Sequence, residues 1–175
     1  MKRQSLLACL DFLVGRLPIT SGEWAITGSA SLQLRGVECD AKDIDILASP
    51  EVANYAATAL SDCTVKPLAI AQTDNIRSLF AQYDVNGVIV EIMADVHNRL
   101  ANDSWYPHRE WRNHVEILQL DNTSVPILTL AYEERIAGML RQDARRTMIQ
   151  ARNGKRGQRS AERAATAYPS EELQG

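Results

Sequence analysis

Leu6, Leu10, Leu13 and Leu17 recur at helical spacing and predict an amphipathic helix over roughly 3–16. Trp24-Ala25-Ile26-Thr27 is a short apolar run that reads as a buried strand, and Gly28-Ser29 breaks it. Ala30 to Leu34 reads as a short helix closed by Gly36. Asp43-Ile44-Asp45-Ile46-Leu47 alternates polar and apolar with period two, the pattern of a half-buried strand. Ser49-Pro50-Glu51 supplies a cap, a first-turn proline and an acid at the positive end of a helix running to about Leu60. Ile76 to Val85 and Val88 to Met93 are β-prone runs joined by Asn86-Gly87, a strong hairpin signal. His114 to Leu120 and Val125 to Leu128 form a second pair, turning at Asp121-Asn122. Thr129 caps a last helix over about 130–150, whose apolar stripe is Tyr132, Ile136, Leu140, Ala144 and Met148. From about 154 to 175 the chain turns to Arg, Ala, Ser, Gln and Glu, the composition of a mobile tail.

At 175 residues, 45% apolar and 23% charged, the chain is sized for one α+β domain, not for several. No stretch approaches the roughly 20 apolar residues of a membrane-spanning helix. Lys2 and Arg3 precede Leu6-Leu7-Ala8-Cys9, but that apolar run is too short for a secretory leader and Asp11 interrupts it. Cys9, Cys39 and Cys63 form no metal motif and no even disulfide set, which fits a reducing cytoplasm. The net charge of −3 divides unevenly: residues 1–140 carry −7, residues 141–163 carry +6 and the last twelve carry −2. Arginine supplies 15 of the 19 basic residues. An acidic body suits metal ions, and an arginine-rich stretch suits phosphates.

Three features combine into candidate chemistry. Gly28-Ser29 ends a strand and opens a helix, so glycine permits close backbone approach and the helix start offers free N–H groups to a phosphate. Asp43 and Asp45, two apart on a strand, send both carboxylates to one face. Glu91 stands between Val90 and Ile92 on a later strand. If these strands are neighbours, three carboxylates converge, and a divalent cation relieves their repulsion. An all-oxygen set without His or Cys suits Mg²⁺, completed by substrate phosphates, and argues against zinc.

The text from Ile26-Thr27-Gly28-Ser29 through Asp43-Ile44-Asp45-Ile46 to Glu91 resembles the nucleotidyltransferase superfamily whose founding member is DNA polymerase β. The likeness spans about 24–96 and points to the minimal and antibiotic-modifying types. It implies a small mixed β-sheet with helices packed on one side and terminal helices. It also implies a nucleotidyltransferase-like domain over 1–153 with a flexible tail over 154–175. It implies Mg²⁺-dependent transfer of a nucleoside monophosphate from a nucleoside triphosphate to an acceptor hydroxyl, with release of pyrophosphate. Asp43, Asp45 and Glu91 would be the catalytic and metal-binding acids, and Gly28 and Ser29 would hold the triphosphate. The spacer from Ser29 to Asp43 is long for the family, and Glu91 replaces its usual Asp, with Asp95 a nearby substitute.

Arg35, Arg77 and Lys42 are further candidates for phosphate contact, and Trp105, Tyr106 and Trp111 for stacking on a ring. His97, His108 and His114 show no ligand spacing. The acceptor implied is a small molecule, a tRNA or a protein. The other reading is a fold-sharing antitoxin or interaction protein that pairs with a helical toxin, or forms a homodimer, or else a tRNA-modifying toxin.

Overall fold

The computed structural model describes residues 1–18 and 22–152. The expected tail over 154–175 lies outside the described residues. The elements run α1 (Arg3–Arg16), β1 (Trp24–Thr27), α2 (Gly28–Leu34), β2 (Ile44–Ala48), α3 (Pro50–Ala59), β3 (Thr64–Gln72), β4 (Ile76–Val85) and β5 (Val88–Arg99). There follow β6 (Trp105–Pro107), β7 (Val115–Gln119), β8 (Ser124–Leu128) and α4 (Leu130–Met139). A fifth helix, α5, covers 143–152.

All strands join one mixed sheet in the order β3-β4-β5-β2-β1-β8-β7, with β6 beside β5. The β2–β5 and β1–β8 pairs are parallel, and the others are antiparallel. The main core lies under α1 and α3, where Leu6, Leu10 and Leu13 meet Trp24, Ile26, Ile44, Ile46, Val90 and Ile92. Tyr132 of α4 closes a smaller cluster with Ala25, Leu47, Val96 and Leu128. Ile149 of α5 packs on Leu32 and Val37 at the end of α2. Among the described residues no helix is long and apolar enough to cross a membrane.

Local signals explain most boundaries. Ser49 Oγ accepts the Val52 N–H, and Thr129 Oγ1 accepts the Tyr132 N–H, so both expected caps are in place. Asn86 and Gly87 both take positive φ, 55° and 81°, the backbone of a tight hairpin turn whose twist matches its strands. The strand over 64–72 carries no alternating pattern in its residues. It is a sheet edge, with Pro67 inside it and only Leu68 half-buried, so it lacks the burial that makes a strand periodic.

The last helix is two helices. The Gln142 N–H bonds the Ala137 carbonyl at 2.8 Å, the Arg141 N–H bonds that of Gly138 at 3.2 Å, and Arg141 takes φ 54°. This is a Schellman terminator with arginine where glycine usually stands. The stripe at four-residue spacing passes through the break, which is why spacing alone suggests one helix over 130–150. Arg141→Gly is expected to raise stability by about 0.5–1 kcal/mol, because a side chain at positive φ is strained. Chemical denaturation would register it, and an unchanged or lower midpoint would contradict the terminator.

Candidate active site

Ile44 and Ile46 are fully buried in the main core, so alternation sends Asp45 and Leu47 to the opposite face. The register then sets Asp45 opposite Thr27 on β1 and opposite Glu91 on β5. Gln82 on β4 is opposite Glu91 and donates from Nε2 to Glu91 Oε1 at 2.9 Å. Thr27, Asp45, Glu91 and Gln82 therefore form one row across four strands. Asp43 precedes β2, half-buried.

Asp95 leaves this row. It takes φ 48° at a one-residue register shift between β4 and β5, and the bulge turns it outward while Val96 takes the inward place. The third acid that the strands align with Asp45 is thus Glu91.

Thr27, Asp45 and Glu91 of this row floor a cavity of about 300 Å³. Its polar end is made by Gly28, Asp45, Glu91, Glu133, Gln142 and Arg145. Leu47, Met93, Val96, Leu128, Ile136 and Leu140 give it apolar walls. At the far end His108 bonds Asn98 Oδ1 through Nε2 and the Tyr132 hydroxyl through Nδ1. Burial lowers its pKa to about 4, so that end is neutral at physiological pH.

The acidic end is strongly coupled. Burial, with help from the Asp43 and Glu91 charges, pushes the Asp45 carboxyl up to about 7, against the opposing charge of Arg145. Glu133 is buried to 4% exposure, and its Oε1 accepts the Gly28 N–H at 3.0 Å and the Thr27 hydroxyl at 2.9 Å. Burial raises its pKa, opposed by Arg145 and these hydrogen bonds. Gly28 has φ 75°, and a Cβ there would collide with the Asp45 carboxylate.

Among the described residues no three His, Cys, Asp or Glu side chains stand close enough to ligate one ion as placed. The chemistry of the donor set still suits a hard divalent cation. It is all oxygen, two of its acids are in register on adjacent parallel strands, and burial together with repulsion from Asp43 and Glu91 raises Asp45.

Other sequence candidates lie elsewhere. Arg35 pairs with Glu116 and donates to the Leu128 carbonyl, tying α2 to the β7–β8 hairpin. Arg77 is exposed, over the Trp105 ring at 5.6 Å, and does not line the cavity. Ser29 adjoins Gly28 outside the lining, and Lys42 is exposed. Trp111 is buried in the smaller core cluster, and Trp105 and Tyr106 of β6 do not line the cavity, although Tyr106 packs edge-on against His108. Conversely, pattern reading missed Glu133 and Arg145 as site residues. Glu133 reads as a first-turn helix acid, and Arg145 as one of many arginines in a basic stretch.

No protein-family model and no curated protein sequence matches the chain. Among solved structures it is similar to a candidate nucleotidyltransferase from Thermotoga maritima, at 26% identity and a TM-score of 0.73, over 89% of this chain and 96% of that one. It is also similar to the lincosamide antibiotic adenylyltransferase LnuA, solved with lincomycin bound, at 8% identity and a TM-score of 0.53, over 86% of this chain and 97% of that one. The strand order, the Gly28 turn beside Asp45 and these likenesses show that the chain has the nucleotidyltransferase superfamily fold.

Proposed function

We propose that this chain is a Mg²⁺-dependent nucleotidyltransferase. It moves a nucleoside monophosphate from a nucleoside triphosphate to the hydroxyl of a small acceptor and releases pyrophosphate. The observation that carries this reading is the register of Asp45 with Glu91, on a cavity floor that begins at the Gly28 turn.

Asp43, Asp45 and Glu91 would hold the divalent cation. When bound, the cation neutralises phosphate charge and lowers the barrier to attack at the α-phosphorus. Gly28 lets the Asp45 carboxylate lie against the backbone of the turn, since a Cβ there would collide with it. Gln82 fixes the Glu91 carboxylate through the hydrogen bond to Oε1. In this reading Glu91 accepts the proton of the attacking hydroxyl. The oxygen of that hydroxyl bonds to the α-phosphorus as the bond to the bridging oxygen of pyrophosphate breaks. The apolar walls and neutral His108–Asn98 end suit an uncharged molecular body. The cavity's size favours a small acceptor over a macromolecule. That preference agrees with the antibiotic substrate named for LnuA, which is a likeness of fold alone.

The test is incubation with labelled ATP, Mg²⁺ and a panel of hydroxylated small molecules. A labelled adduct is expected from the wild type and not from Asp43→Asn. Equal labelling by that variant would remove the metal role from Asp43.

A further inference from the structure

The cavity holds a cation that no sequence motif marked. Arg145, on α5, is 28% exposed and lines the polar end. Its Nη2 is 3.2 Å from the point a Cβ would occupy on Gly28, so the guanidinium lies directly over the turn. Its partners are loose. Nη1 donates to Gln142 Oε1 at 3.3 Å, and Nη2 stands 4.0 Å from Glu133 Oε2, beyond hydrogen-bond range. A guanidinium has five N–H donors in a fixed fork, and among the described residues only one of them is committed to a hydrogen bond. Two neighbouring arginines are engaged elsewhere, Arg35 with Glu116 and Arg135 with Glu110. Among the described residues lining the cavity, Arg145 alone carries a full positive charge, His108 being neutral.

We infer that Arg145 is an exchangeable counter-ion. It balances Asp45 and Glu133 while the site lacks ligand, and turns its fork onto the phosphate oxygens when a triphosphate lies over Gly28. The inference rests on the nucleotidyl-transfer reading. Its consequence is a pair of effects of opposite sign. As a cation beside the carboxylates, Arg145 opposes entry of a divalent cation. As a fork over the turn, it strengthens binding of phosphate.

The experiment is calorimetry on the full chain with two probes: Mn²⁺ alone, and inorganic tripolyphosphate at saturating Mg²⁺. Arg145→Gln is expected to bind Mn²⁺ about three- to tenfold more tightly. It is expected to bind tripolyphosphate about ten- to hundredfold more weakly. Arg145→Lys keeps the charge without the fork, so its Mn²⁺ affinity should match the wild type while tripolyphosphate weakens several-fold. Arg146→Gln, at a residue that does not line the cavity, should leave both affinities unchanged. Loss of both affinities in Arg145→Gln would mean a structural role and overturn the proposal. So would weaker tripolyphosphate binding without the gain in Mn²⁺, or tripolyphosphate affinity unchanged in both variants. If the wild type itself does not bind tripolyphosphate, nucleotidyl transfer fails, and the Mn²⁺ comparison still decides the counter-ion role.

Discussion

Asp45→Asn is expected to make the protein more stable at pH 8 while cutting nucleotidyl transfer by more than about 100-fold. The activity estimate follows from metal chemistry: residues that merely support a ligand cost roughly 10–100-fold when lost, so a ligand itself should cost more. The stability gain follows from burial. The Asp45 carboxyl rises from 3.8 to about 7, chiefly because burial disfavours its charge, with Asp43 and Glu91 adding repulsion. Across that window the folded chain holds a proton that the unfolded chain has lost. Stability linked to Asp45 is therefore present at acid pH and lost as pH rises through about 7. Asparagine carries no charge and should recover about 1–3 kcal/mol at pH 8 and roughly a third of that at pH 5. Denaturation of both proteins at the two pH values checks this. A variant less stable than wild type at pH 8 would show that Asp45 is not a destabilising buried acid. Mg²⁺ should narrow the gap, because a bound cation stabilises only the protein that retains its ligands.

Gly28→Ala should be the most damaging single-methyl change in the chain. The backbone there has φ 75°, which strains any side chain by roughly 1–2 kcal/mol. The added carbon would also meet the Asp45 carboxylate and lie 3.2 Å from Arg145 Nη2. Overpacking of this kind costs roughly 1–3 kcal/mol more. A total loss of about 2–5 kcal/mol is expected, with transfer abolished because the floor of the site has moved. Gly36→Ala separates the two causes. Gly36 has φ 76° but nothing within 4 Å of its would-be Cβ, so it should lose only the conformational part. Equal losses at the two glycines would show that contact with Asp45 does not constrain the turn.

Much of the fold was legible because its signals are local. Leu6, Leu10 and Leu13 are fully buried as their spacing requires. Ser49, Thr129 and Asn86-Gly87 act through hydrogen bonds or backbone angles set within a few residues. Where the determinant was not local, pattern reading failed. The break at Arg141 requires a left-handed residue that the sequence does not advertise, since arginine rarely takes that conformation. The edge strand over 64–72 has too little burial to impose a period. Asp95 and Glu91 lie on the same strand, and only the bulge decides between them.

For the site, the sequence alone determined the parts list of the motif: a Gly-Ser turn, an Asp-x-Asp strand and a later acid between β-branched residues. These are local patterns, and the strand's period sends Asp45 to the face opposite Ile44 and Ile46. Tertiary structure alone decided which charges meet. Asp45 and Glu91 are 46 positions apart and become neighbours through parallel pairing of β2 with β5. Glu133 reaches the Gly28 N–H from 105 positions away, and Arg145 reaches the same turn from α5. Arg35 and Arg77, equally plausible as text, are drawn off to Glu116 and Trp105. The physical reason is that charge–charge and hydrogen-bond energies depend on distance and burial, and both are properties of the packed chain and not of residue spacing.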